Sequence, residues 1–260
     1  MAILLKNQAA RVLLQPEHGG RVSSLCVGGH ELLVGEDPDP LLWGCYPMVP
    51  WAGRLRHGVL DFRGRRYQLP VTFPPHAIHG TTWDVSWRTA GEHEMVLPLE
   101  KPWPFGGRAV HIVQLEDDNL RMRLELHADD ESFPASLGWH PWFRRNLDGG
   151  AGARLLFDAE LCYDLDEECI PTGELSPPGP GPWDDCFTAV QDPPRIAWPG
   201  AVEISLHTSV DHWMVYDRPA HAICVEPMSA PPNALNTQPH VVEPGNPLVG
   251  EFTIRWNLLR

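Results

Sequence analysis

The stretch Leu120-Arg121-Met122-Arg123-Leu124-Glu125-Leu126-His127 decides the fold. In an extended chain Leu120, Met122, Leu124 and Leu126 share one face, and Arg121, Arg123, Glu125 and His127 share the other, because successive strand side chains point to opposite sides. A helix would split the four apolar residues between opposite sides. The same two-residue period returns where Val202, Ile204 and Leu206 alternate with Glu203, Ser205 and His207. It returns again where Phe252, Ile254 and Trp256 alternate with Thr253 and Arg255. Strands that bury one face and wet the other mark antiparallel sheets.

Working outward, residues 58–70 read as a hairpin: Val59 to Phe62, a turn at Arg63-Gly64, then Tyr67 to Leu69 and a terminating Pro70. Further strands are predicted over 10–15, 21–27, 94–98, 109–116, 154–158 and 212–216. Pro 28 and Gly 23 in 260 residues are well above ordinary usage and imply many turns. No amphipathic helix and no internal repeat stands out. The run Pro177-Pro178-Gly179-Pro180-Gly181-Pro182 reads as a surface loop, since strand-like patterning resumes on both sides. The expected fold is all-β, a large antiparallel β-sandwich with few short helices, built as one domain over 1–260.

The net charge of -14 disfavours nucleic acid and anionic membrane as partners, because phosphate surfaces reward the opposite sign. The apolar stretch after Met1 is too short for a signal peptide, and no apolar run is long enough to span a bilayer. Cys26, Cys45, Cys162, Cys169, Cys186 and Cys224 form no CxxC pair. Free thiols in a cytoplasmic protein are the expected reading.

Four segments place polar groups where the pattern predicts something else. Arg54 lies in Pro50-Trp51-Ala52-Gly53-Arg54; it is either a surface arginine at a strand end or a ligand-holding group. His76 and His79 form a His-x-x-His pair, which raises zinc, yet no HExxH or nearby carboxylate completes a ligand set. Either histidine can equally be a satisfied turn residue or a donor to a ligand oxygen. His140 is ringed by Trp139, Pro141, Trp142 and Phe143, where burial lowers an imidazole's pKa and a nearby carboxylate raises it. Glu226 ends the apolar run Ala222-Ile223-Cys224-Val225 and precedes Pro227. A carboxylate at the mouth of a buried strand is costly unless it is paired or used.

With these segments in order along the chain, the sequence resembles the aldose 1-epimerase (galactose mutarotase-like) family over nearly its whole length. Gly19 to Leu25 with Gly29 to Leu33 resembles the family's first hairpin. Pro50 to Arg54 resembles its Pro-x-x-Asn-Arg segment, with Gly53 in place of the usual Asn. His79-Gly80, Gly138 to Phe143, Pro171 to Gly173 with Trp183 to Phe187, Val225-Glu226-Pro227 with Asn233 to Asn236, and Val242 to Gly245 leading into Phe252 to Trp256 resemble its later segments.

The resemblance implies the galactose mutarotase-like supersandwich and a sugar mutarotase without metal or cofactor. It implies Glu226 as general base on the anomeric hydroxyl and His140 as general acid on the ring oxygen. Arg54, His79 and Asp184 are implied as sugar-holding groups, with Asp185 adjacent to the last. The implied partner is a small-molecule sugar. Three other readings stand beside it: a non-catalytic carbohydrate-binding protein on the same fold, a metal-dependent enzyme using His76, His79 and His140, and a hexose-6-phosphate mutarotase. The last needs a local Arg cluster, for which Arg144-Arg145, Arg54, Arg56, Arg63, Arg65 and Arg66 are the candidates.

Overall fold

The computed structural model describes residues 2–147 and 149–259. Two large antiparallel sheets pack face to face. The spatial order of the first is Ile3–Lys6, Ala10–Gln15, Arg21–Val27, Cys45–Met48, Gly138–Arg144, Ala222–Met228, His212–Tyr216, Asp184–Val190, Ala159–Leu165 and Pro171–Ser176, with His30–Glu31 beside Arg21–Val27. The second runs Arg88–Thr89, Glu94–Pro98, Arg108–Leu115, Asn119–His127, Leu248–Leu258, Val202–Thr208, Arg195–Trp198 and Arg154–Leu156. Helix among the described residues is limited to Ala234–Thr237 and the 3-10 turn Arg56–Gly58.

The alternation that announces the strands also builds the core. Leu120, Met122, Leu124 and Leu126 are fully buried, and Met122 sits opposite Phe252 in the ladder. Phe252 in turn meets Trp139 of the other sheet, ring centroids 5.7 Å apart. Truncating one such leucine to alanine costs about 2–5 kcal/mol, through lost burial and the cavity left behind. The 58–70 hairpin forms as Val59–Phe62 and Arg65–Gln68. Its turn residues Arg63 (φ 49) and Gly64 (φ 75) both adopt the left-handed backbone that two-residue hairpin turns favour.

Strands without visible alternation lie where burial is uniform. Gly138–Arg144 is buried at every position but the last, and Ala222–Met228 at every position, so both faces need apolar residues. Ala159–Leu165 and Pro171–Ser176, at the far edge of the first sheet, are half-exposed on both faces. Pro171 is tolerated there because an edge strand has no partner for the missing N–H.

The first sheet therefore has two covered faces. Trp139, Phe143, Val225, Ile223, Trp213, Val215 and Phe187 point into the main core. The intervening residues Tyr46, Trp142, Cys224, Met214 and Cys186 form a second, smaller cluster on the opposite face. His140 and Glu226 share the parity of this second set.

Candidate active site

On that second face lies a cavity of about 190 Å³ lined by Tyr46, Arg54, His79, His140, Asp184 and Glu226, among others. Each polar side chain arrives for a local reason. The register that pairs Gly138 with Met228 and Trp142 with Cys224 sets His140 opposite Glu226 on neighbouring strands. Each is followed by a proline, Pro141 and Pro227, which cannot donate to the ladder. Prolines in central strands are unusual, and here they interrupt the sheet beside the ionisable pair.

Arg54 opens the two-residue strand Arg54–Leu55, which pairs with Ala77–Ile78, and His79 directly follows that partner strand. Asn233 anchors this piece: its N–H donates to Arg54 O at 2.7 Å, and its Oδ1 accepts from Arg56 N at 3.2 Å. His79 precedes Gly80, whose φ is +81 and where a Cβ would lie 1.8 Å from Val49 O. Only glycine permits that approach, so the His-Gly pair is a backbone requirement that aims the imidazole inward.

His140 Nε2 and Glu226 Oε1 are 3.2 Å apart, with side chains 7% and 2% exposed. The imidazole is clamped on both faces, by Tyr46 (centroids 5.0 Å, interplanar 26°) and Trp142 (5.1 Å, 12°), and His79 meets it edge-on at 5.0 Å. Arg54 Nη2 pairs with Asp184 Oδ2 at 3.2 Å. Asp185 accepts the backbone N–H of Asp184 at 3.2 Å instead of entering the cavity.

Burial dominates the electrostatics. It pushes the Glu226 carboxyl well above the usual carboxylate range, with neighbouring Asp184 adding to the rise and Arg54 opposing it. It pulls His140 down to about 3, with buried Arg21 contributing. His79 is held well below the ordinary value by burial, then by His140 and Arg54. The low-energy state of the pair is therefore neutral overall, one proton shared between Oε1 and Nε2. Glu226 Oε2 is buried without a hydrogen-bond partner. An orphaned oxygen of this kind is expensive in a closed site and is satisfied when a hydroxyl enters.

His79, His140 and Glu226 bring three potential metal-ligand atoms within 4.8 Å of one another. The set fits a metal poorly. Gly53 N–H donates to His79 Nδ1 at 3.2 Å, so the neutral ring carries its hydrogen on Nε2. One nitrogen is already accepting and the other presents a donor, which suits a sugar oxygen. His76 stands apart from this cavity: its Nδ1 accepts from His57 N at 3.2 Å and its Nε2 lies 3.0 Å from Glu168 O. The His76, His79, His140 ligand set is therefore not assembled.

The arginines proposed for phosphate are turned elsewhere, except Arg54. Arg144 Nε donates to Leu33 O, Arg145 donates to the carbonyls of Asp217, Pro219 and Ala222, Arg56 pairs with Asp166 and Glu168, and Arg66 pairs with Asp61. Arg63 and Arg65 line a separate surface hollow. Sequence reasoning missed Tyr46, Met214, Tyr216, Leu41, Leu42 and Asp39 as lining residues. Only the parity of their strands with His140 and Glu226 carried a signal for Tyr46, Met214 and Tyr216.

The aldose 1-epimerase family model matches residues 1–254. The chain belongs to the aldose 1-epimerase family. Similar solved structures include a galactose mutarotase-like protein from Clostridium acetobutylicum (TM-score 0.86, 16% identity, 98% of this chain and 95% of that one). They also include the GalM/aldose epimerase homologue from C. elegans (TM-score 0.80, 17% identity, 100% and 99%). At these identities they establish the galactose mutarotase-like fold. Among curated proteins, the uncharacterized protein YphB of Escherichia coli K12 is 30% identical over 105 residues, 38% of this chain; the match spans only 36% of YphB.

Proposed function

We propose that the protein is an aldose 1-epimerase that interconverts the α and β anomers of a neutral aldose by acid–base ring opening. The observation that carries this reading is the buried pair His140 and Glu226 at 3.2 Å. The hydroxyl oxygen and ring oxygen of a hemiacetal hang on one carbon, so two groups this close meet both from one edge. With the shared proton on His140, Glu226 takes the proton from O1 while His140 delivers its own to O5. The C1–O5 bond breaks, the open aldehyde turns about C1–C2, and the same pair acts in reverse. Each positioned proton-transfer group is worth roughly 10²–10⁴ in rate.

Arg54, His79 and Asp184 hold sugar oxygens in this reading, with no metal or cofactor. The cavity supports a non-phosphorylated substrate: among the described residues Arg54 is the only lysine or arginine that lines it and is already paired, while Asp39, Asp184 and Glu226 also line it. A merely sugar-binding protein has no use for a buried carboxylate against a clamped imidazole, an arrangement that costs stability. One domain over 1–260 and a cytoplasmic site of action complete the proposal; a main core cluster fed by both sheets and six free cysteines are consistent with it. No helix among the described residues is long and apolar enough to cross a membrane.

The test is anomer exchange on a panel of neutral aldoses and hexose 6-phosphates. Acceleration of a neutral aldose that disappears in His140→Asn supports the reading. Acceleration confined to the phosphates, or unaffected by the substitution, contradicts it.

A further inference from the structure

The His-x-x-His pair divides between two tasks. His79 lines the cavity; His76, equally buried, does not. Both ring nitrogens of His76 are used. Nδ1 accepts the His57 N–H at 3.2 Å and Nε2 donates to Glu168 O at 3.0 Å, so the ring is neutral with its hydrogen on Nε2. His57 lies in the 3-10 turn that follows Arg54–Leu55, and its φ of 51 is a left-handed conformation that a residue other than glycine keeps only where its surroundings fix it. Glu168 lies in the turn joining Ala159–Leu165 to Pro171–Ser176.

That turn is built to be gripped. Asp166 Oδ1 accepts the N–H groups of Glu168 at 2.9 Å and Ile170 at 3.1 Å, which leaves Oδ2 for Arg56. Arg56 also pairs with Glu168, and His57 Nε2 lies 3.2 Å from Glu168 Oε1. Ile170 closes the turn fully buried.

The place of this grip in the fold links it to the site. Ala159–Leu165 runs antiparallel to Asp184–Val190, so the turn leaves the first sheet at the end where Asp184 begins its strand. On the other side, Arg54 pairs with Ile78 and Leu55 with Ala77, so the piece held at Arg56, His57 and His76 is the one that carries Arg54 and His79. The Arg54–Asp184 pair at 3.2 Å bridges the same two pieces that His76 and Arg56 join.

We propose that His76 and Arg56 are positioning residues that fasten the segment carrying Arg54 and His79 to the Asp166–Ile170 turn, and so set the spacing of Arg54, His79 and Asp184 around the sugar. Neither lines the cavity. His140 and Glu226 stand on paired strands of the first sheet, so a loosened clasp disturbs sugar holding more than proton transfer. The inference rests on the sugar-holding roles proposed above.

The experiment compares His76→Asn, His76→Gln and Arg56→Gln with the wild-type protein by steady-state anomer exchange and by NMR titration of the same sugar, well below each melting temperature. Asparagine keeps an acceptor near the place of Nδ1 and loses the donor to Glu168 O; glutamine keeps a donor near the place of Nε2. His76→Asn and Arg56→Gln are expected to raise KM and Kd roughly 10-fold with kcat changed less than about threefold, and His76→Gln to recover most of the loss. Wild-type KM and Kd in folded His76→Asn or in Arg56→Gln overturn the proposal, since a residue that serves the fold alone moves the melting temperature and not the affinity. If His76→Asn does not fold, Arg56→Gln decides. A wild-type protein that binds a sugar without accelerating exchange overturns the mutarotase reading, while Kd still judges the clasp. One that neither binds nor exchanges any sugar of the panel overturns both.

Discussion

His140 and Glu226 face each other across one rung of the first sheet, Nε2 to Oε1 3.2 Å, each followed by a proline that breaks the ladder. Burial lowers the histidine's pKa and raises the carboxyl's, so the surroundings favour a single proton on the pair.

This proton count fixes the pH dependence. Activity is lost when the pair gains a second proton, which His140 accepts only near 3, and when it loses its one proton above the raised Glu226 value. A profile of kcat/KM against pH is therefore expected to show no inflection at the ordinary histidine value of about 6.5. Asp184 adds to the rise of the Glu226 pKa, so Asp184→Asn is expected to move the alkaline limb to lower pH. A fall centred near 6.5 argues that a solvated imidazole is the acid.

The same group weakens the fold. A carboxyl whose folded pKa is raised loses stability as pH climbs from the unfolded value through the folded one, since the fold must keep the proton or bury the charge. Glu226→Gln is expected to raise the melting temperature at pH 8 by roughly 2–4 °C, the change that about 1 kcal/mol makes in a chain of this size. The gap is expected to close as pH falls to about 4.5. Scanning calorimetry at the two pH values checks both.

Arg54 acts on binding and on the pair. It bonds Asp184 and opposes the rise of the Glu226 pKa. Arg54→Ala is expected to raise KM at least roughly 10-fold, as loss of a charged hydrogen-bonding group does, and to lower kcat as well. Steady-state kinetics that show a change in kcat alone contradict a sugar-holding role.

Much of the fold was legible because one-sided strands advertise themselves: Leu120 to Leu126 and Val202 to Leu206 each bury one face. The strands that carry the site were quieter. Cys45-Tyr46-Pro47-Met48 is buried throughout, so Tyr46 shows no alternation against its neighbours. Glu226 was visible as a charge in an apolar run, and His140 as an ionisable ring among aromatics. Arg54 and His79 stood out as polar residues with their roles open and Asp184 came from resemblance alone, because their meeting depends on the loop fixed by Asn233 and on Gly80's close approach to Val49. Met214 owes its place in the cavity to strand order.

Metal dependence is checked directly. The hydrogen that His79 carries on Nε2 opposes ligation, so elemental analysis is expected to find less than one metal per chain, and chelation to leave activity intact. One tightly held ion whose removal abolishes exchange contradicts the cofactor-free mechanism.

The central claim is the proton-transfer role of Glu226. Glu226→Gln keeps the shape and removes the base. On the best sugar of the panel, with anomer exchange followed by polarimetry, it is expected to lower kcat by roughly two to four decades while sugar affinity changes far less. Exchange at the wild-type rate in a folded Glu226→Gln protein contradicts the mechanism.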